Sequence, residues 1–353
     1  MKTVSNTPPR GHELDATEYP APHAAWLTRP AREMSPARPA TRPRAVRVIA
    51  LVALGTGLAL GQSPGSAAEA GGELPYRQLT NVVFAEVHGT GLLMDIFVPN
   101  GRSNGLGIID VVSGAWHSDR RKIRDHMLAG VYSTFCSRGY TVFALRPGSR
   151  TRYHGLEMLD HVRLGIRFVK QHAGEFGVDP ARLGLTGASA GGHLATLAAV
   201  APLDAQPDAR DPLLRHDTRV KAAAIFFPPT DFLDWGGKPA DFTLLGDLLF
   251  PGGTRGHSEE EIAERARELS PARRVTSPAT PFLFIHGDAD PLVPLQQSEK
   301  MVATLRAAGG SAELIVKAGG GHPWLTIPEE VKVMADWFDR HLAGAPTTKA
   351  AAP

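Results

Sequence analysis

From about residue 73 the chain alternates short apolar runs with longer stretches whose apolar residues recur every three or four positions. Val82–His88 and Leu92–Val98 read as two strands parted by Gly89 and Gly91, a hairpin signal. Six later runs follow, at Leu106–Val112, Tyr140–Leu145, Arg182–Thr186, Val220–Phe227, Pro281–His286 and Ala312–Lys317. Each is short, bounded by turn residues and rich in β-branched or aromatic side chains, as strands covered on both faces should be. Helical periods lie between them: Leu159, Val162, Ile166 and Val169; Leu295, Ser298, Val302 and Leu305 before Gly309-Gly310; and Val331, Ala335, Phe338 and Leu342. Two opening strands and then repeated strand–helix units predict an α/β fold. Its sheet is open, eight-stranded and mostly parallel, with helices on both faces.

One interval breaks the rhythm. The stretch from about 231 to 278 is too long for a plain connection. It carries an apolar cluster from Phe232 and Trp235 to Phe250, then Ser258-Glu-Glu-Glu261, a capping box that opens a helix running to Leu269. This predicts a small inserted cap. Its apolar residues either line a substrate pocket or pack the cap onto the body.

The N-terminal part follows a different pattern. Residues 1–44 are rich in Pro, Arg and Ala, and Val48–Leu60 is an uncharged apolar run of thirteen residues preceded by Arg38, Arg42, Arg44 and Arg47. Small residues around 66–70 then offer a cleavage site near 68–70. This is the architecture of a secretory signal peptide, so a secreted or periplasmic location is expected. As a helix the run spans about 20 Å, short of the bilayer core, which argues against a stable membrane anchor. The predicted organisation is a leader at 1–72, one domain at 73–345 and a disordered tail at 346–353.

Charge changes the picture once it is divided. The chain has 38 Lys and Arg against 36 Asp and Glu, but residues 1–72 hold eight basic and five acidic residues. The remainder is nearly neutral, so the mild basicity belongs to the leader and does not imply nucleic acid as a partner. Cys136 is the only cysteine, which excludes an intrachain disulfide and a zinc site built from several thiolates. It lies in an apolar helical pattern, as a buried inert thiol does. No metal-ligand cluster or phosphate-cradling loop is evident, so neither metal nor cofactor is expected.

Candidate chemistry collects where strands end. Strand Arg182–Thr186 runs into Gly187-Ala-Ser189-Ala-Gly191-Gly192-His193 and then an apolar helix, placing Ser189 in a G-x-S-x-G turn between strand and helix. Such a turn exposes the hydroxyl and offers the N–H of Ala190 to an oxyanion. A nucleophilic hydroxyl needs a base, and the base needs an orienting acid. Pro281–His286 ends in Gly287-Asp-Ala-Asp290, and Ala312–Lys317 ends in a glycine-rich loop carrying His322. Asp288 reads as a brace of its turn, Asp231 as the weaker rival acid, and His286 as a core histidine. The loop Val112-Ser-Gly114-Ala115-Trp116 is the candidate second arm of an oxyanion hole, through the N–H of Gly114 or Ala115. Trp116, His193 and Trp235 are candidate substrate-pocket residues, with structural packing as the alternative for each.

The sequence resembles α/β-hydrolase-fold serine esterases of the hormone-sensitive-lipase-like group, especially the secreted branch of bifunctional acetyl-xylan and feruloyl esterases. The likeness spans roughly residues 76–342 and rests on Gly-Ala-Ser189-Ala-Gly-Gly-His, Gly-Val178-Asp-Pro-Ala-Arg182, His286-Gly-Asp-Ala-Asp290 and Gly-His322-Pro-Trp. It implies Ser189 as nucleophile, His322 as base, Asp290 as its partner and Gly114-Ala115 as the oxyanion loop. The group's usual His-Gly-Gly-Gly-Trp is Val112-Ser-Gly-Ala-Trp116 here, so Ala115 would be strained if that position requires positive φ. The expected activity is cleavage of small-molecule or carbohydrate-linked carboxylic esters through an acyl-enzyme, with acetyl and feruloyl esters the implied class. A prolyl-oligopeptidase-like exopeptidase and a catalytically silent binding protein on the same fold are the alternatives.

Overall fold

Eight strands form a single sheet in the order β1-β2-β4-β3-β5-β6-β7-β8. They are β1 (Tyr76–Val87), β2 (Thr90–Pro99), β3 (Gly107–Val111), β4 (Thr141–Leu145), β5 (Leu183–Ala188), β6 (Ala222–Phe226), β7 (Phe282–Gly287) and β8 (Ala312–Lys317). The computed structural model describes residues 73–276 and 279–343; the expected leader, its apolar core and the C-terminal tail lie outside the described residues. β1 and β2 pair antiparallel across a two-residue turn in which His88 and Gly89 both have positive φ, matching the strand twist. β2 meets β4 antiparallel, and every other pairing is parallel. This is the α/β-hydrolase fold.

The continuous apolar strands follow from cover on both faces. Ile108 and Val142 point to one side, and Ile109 and Phe143, one residue on, point to the other. One side is covered by α3 (Gly155–Gln171), α4 (Ala190–Val200) and α7 (Gln296–Ala307), and the other by α2 (Val131–Ser137) and α8 (Ile327–Leu342). Close contact demands small residues beneath the helices: a Cβ at Gly184 would lie 2.6 Å from the Phe338 ring.

The inserted segment folds as expected, with α5 (Phe242–Leu249) and α6 (Glu259–Glu268). The capping box forms: Glu261 N–H donates to Ser258 Oγ at 3.2 Å, and Ser258 N–H donates to Glu261 Oε2 at 2.8 Å. Phe232, Leu248, Leu249 and Phe250 are buried, so half of the apolar cluster packs the cap down, while Trp235, Phe242, Leu244 and Leu245 keep some exposure. One helix has no counterpart in the apolar pattern, α1 (Arg120–Leu128). Only Ile123 is buried on it, and it starts because Asp119 accepts the Arg121 N–H. Among the described residues no helix is long and apolar enough to cross a membrane.

Candidate active site

The turn after β5 is sharp and crowded. Ser189 has φ +53° and ψ −122°, a conformation that L residues rarely occupy, and it caps α4 with its side chain unengaged by the helix. The flanking glycines are dictated by contact. A Cβ on Gly187 would meet the Gly191 backbone at 2.7 Å, and one on Gly191 would run into the Val111 carbonyl of β3. The turn is tied to its neighbours by Ser189 N–H to the Phe226 carbonyl and Gly191 N–H to the Ser113 carbonyl.

Two further strand ends converge on it. Ser189 Oγ lies 2.8 Å from His322 Nε2, and His322 Nδ1 lies 2.6 Å from Asp290 Oδ2. A carboxylate only accepts, so Nδ1 carries the proton and Nε2 accepts from the serine hydroxyl. The loops are held in register: Gly319 N–H donates to Asp288 Oδ1 at 2.7 Å, and Ala289 N–H donates to the Gly320 carbonyl. A side chain at Gly287 would collide with that same Gly320 carbonyl. Phe227, at φ +33°, packs its ring 4.4 Å from the His322 ring, with Trp324 behind it. Nothing in the sequence pattern marks Phe227 for this contact, since it merely ends an apolar run.

Burial alone would raise the Asp290 pKa. Hydrogen bonding from His286 and His322 and from the Val293 and Leu292 N–H groups outweighs it and holds the carboxyl far below the usual carboxylate range. His286 is buried, and its tautomer is forced: Nε2 faces the Val293 carbonyl at 2.9 Å and so carries the proton, while Nδ1 accepts from the Ser298 hydroxyl at 2.8 Å. The same Nε2 lies 3.4 Å from Asp290 Oδ2, so this core histidine also touches the acid. The rival acid Asp231 is engaged elsewhere, with Arg273 at 2.7 Å and Lys300 at 2.5 Å. Cys136 is buried, and desolvation pushes its thiol up to about 12, which leaves it protonated and inert.

The Val112–Trp116 loop, the expected second arm of an oxyanion hole, departs from expectation at Gly114. Gly114 N–H donates to the His117 carbonyl at 3.0 Å, so it has no hydrogen to offer an oxyanion. The N–H groups of Ala115 and of Ala190, the first residue of α4, have no backbone partner among the described residues. Ala115 and Trp116 both stand in the left-handed region, at φ +47° and +59°.

Of the three expected pocket residues, only Trp235 is partly exposed; it stacks on Phe232 at 6.0 Å. Trp116 and His193 are buried and hydrogen bonded to each other, so they line no open surface. Trp116 Nε1–H donates to His193 Nδ1 at 3.0 Å, and His193 Nε2–H donates to the Leu269 carbonyl at 2.7 Å. Burial pushes the His193 pKa down to about 4, keeping this tautomer neutral. Among the described residues no group of three His, Cys, Asp or Glu side chains is placed to hold a metal ion.

Comparison with known proteins agrees with this architecture. Probable carboxylic ester hydrolase LipM of Mycobacterium tuberculosis is 30% identical over 201 residues, which cover 56% of this chain and 44% of LipM. Esterase LipQ of the same organism is 27% identical over 253 residues, covering 64% and 55%. The chain thus spans about half the length of these curated relatives. A truncated carbohydrate esterase from gut microbiota superimposes with a TM-score of 0.64 at 25% identity, over 76% of this chain and 98% of that one. A thermophilic esterase from Thermogutta terrifontis gives 0.56 at 25% identity, over 76% and 94%. The BD-FAE family pattern matches residues 94–305, well over half of the sequence, and the chain belongs to the BD-FAE family.

Proposed function

We propose that the protein is a serine hydrolase that cleaves carboxylic esters through an acyl-enzyme. The observation that carries this reading is the unbroken chain from Ser189 Oγ to His322 Nε2 at 2.8 Å and from His322 Nδ1 to Asp290 at 2.6 Å, set on a strained strand-to-helix turn. Ser189 Oγ attacks the ester carbonyl carbon as His322 Nε2 takes its proton. Asp290 holds the imidazole in the required tautomer and stabilises the imidazolium. The N–H groups of Ala190 and Ala115 receive the oxyanion, and His322 then protonates the departing alcohol. Water repeats the sequence in the second half-reaction and releases the acid.

Carbohydrate-linked acetyl or feruloyl esters are the substrate class we favour, supported by the likeness to a carbohydrate esterase. We further propose export before action, on the strength of the arginine-flanked apolar run at 48–60. A panel of p-nitrophenyl esters from acetyl to octanoyl, methyl ferulate and an aminoacyl-p-nitroanilide, assayed on wild type and Ser189→Ala, tests the activity. Ester turnover that disappears in Ser189→Ala is expected. Anilide cleavage without ester cleavage, or full activity in Ser189→Ala, would refute the reading. N-terminal sequencing of protein from the host's culture fluid or periplasm tests export, with a start near residue 70 expected and retention in the cytoplasm against it.

A further inference from the structure

Trp116 is gripped twice, and both grips end on the cap. Through its side chain, the indole N–H donates to His193, whose other nitrogen donates to the Leu269 carbonyl just past α6. Through its backbone, the Trp116 carbonyl accepts the Arg150 N–H at 2.8 Å. The Arg150 guanidinium in turn donates to the Leu244 carbonyl on α5 at 3.0 Å. The Phe232 ring fills the space between, 5.8 Å from Trp116 and 5.1 Å from His193.

These ties converge on a strained piece of backbone outside the Ser189 turn. Ala115 and Trp116 are consecutive non-glycine residues with positive φ, and such conformations persist only where their surroundings over-determine them. The orientation of the Ala115 N–H depends on that strained φ. Neither grip is a generic packing contact. The first leaves both imidazole nitrogens occupied by groups of fixed polarity, since an indole N–H only donates and a carbonyl only accepts.

We infer that His193 and Arg150 are positioning residues that couple the cap to the oxyanion loop through Trp116, so that a docked cap holds the Ala115 N–H ready for the oxyanion. This rests on the ester-hydrolase reading and deepens it: catalytic competence follows the docking of α5 and α6. A cap displaced by substrate entry releases both ties at once and lets the loop relax. A docked cap restores them.

Two variants separate positioning from support. Trp116→Phe keeps a ring in place and removes the donor to His193. Arg150→Met keeps the aliphatic stem of a partly exposed residue and removes the bond to Leu244. The readouts are kcat and KM for p-nitrophenyl acetate, the second-order rate at which a fluorophosphonate labels Ser189 by intact mass, and Tm. For Trp116→Phe, kcat and the labelling rate should fall together, about ten- to a hundred-fold, with KM within about three-fold. Arg150→Met should lose about three- to ten-fold in the same two rates with Tm unchanged. Should Trp116→Phe fail to fold, Arg150→Met decides alone. A labelled wild type with variants labelled equally fast overturns the coupling only. A wild type that neither labels nor hydrolyses esters overturns the hydrolase reading and the coupling with it.

Discussion

Replacing Ser189 by alanine and by glycine should give two inactive proteins of unequal stability, in the reverse of the usual order. Both lose the Ser189 hydroxyl and its hydrogen bond to His322, so those effects cancel between them. What remains is the backbone. At φ +53° and ψ −122°, a residue with a Cβ carries about 1–3 kcal/mol of strain that glycine does not. Glycine gains back unfolded-state freedom worth about 0.4–1 kcal/mol in the other direction. The site is partly exposed, so the methyl that alanine brings adds little packing there, and Ser189→Gly should exceed Ser189→Ala by about 1–2 kcal/mol. For a domain of this size that is a Tm difference of about 2–4 °C per kcal/mol. Urea unfolding followed by tryptophan fluorescence, with a shared m-value, gives the free-energy difference directly. The exposed helical Ala303→Gly in α7 is the control and should lose about 0.5–1 kcal/mol. Equal stability of Ser189→Ala and Ser189→Gly would mean that the Ser189 turn stores no such strain.

Four more outcomes are expected. Asp290→Asn should cut kcat by about 10⁴-fold, because an amide no longer enforces the His322 tautomer, while protein yield and Tm stay measurable. The Asp290 carboxyl, held below its ordinary 3.8, contributes stability that is complete above that value and is lost as the pH falls below it; urea titrations at pH 5 and 3 should show a steeper loss in wild type than in Asp290→Asn. His193, pushed by burial from 6.5 down to about 4, refuses a proton that the unfolded chain accepts between those values, so stability should drop by up to about 3 kcal/mol over that interval. A wild type whose unfolding free energy showed the same slope as His193→Gln across this range would contradict that account. Phe232→Ala removes a fully buried ring touching Trp116, His193 and Trp235, and should cost about 3–5 kcal/mol by denaturant unfolding; a loss under about 1 kcal/mol would mean the cap does not pack on the loop as described.

Much of this architecture is readable from local pattern. The inner strands are legible because helices cover both faces of the sheet there, which leaves short uninterrupted apolar runs between turn residues. β1 and β8 at the edges are instead interrupted by polar, exposed positions, and β1 starts six residues before its expected run. Ser189, Asp290 and His322 are legible because each follows such a run in a glycine-bearing turn, where side chains at a sheet's edge meet. Ser258 and Glu261 announce α6 because a capping box is satisfied within four residues. Other features carry no local signature. α1 presents arginines and a single buried Ile123, so its apolar period is absent. The placing of β4 between β2 and β3 is a choice among crossovers, not a property of any strand.

The sequence by itself therefore determined most of the elements, the candidate residues at their ends and the order in which those residues appear. Only the tertiary structure decided how the groups between those ends are used. Gly114 looks like an oxyanion donor until the His117 carbonyl is found on its N–H. Trp116 and His193, 77 positions apart, look like pocket walls until they are found bonded to each other beneath the cap. The physical reason is the range of the interactions. Periodicity, capping and turn chemistry are settled within a few residues, whereas the partner of a buried N–H is chosen by whatever distant segment the fold delivers to it.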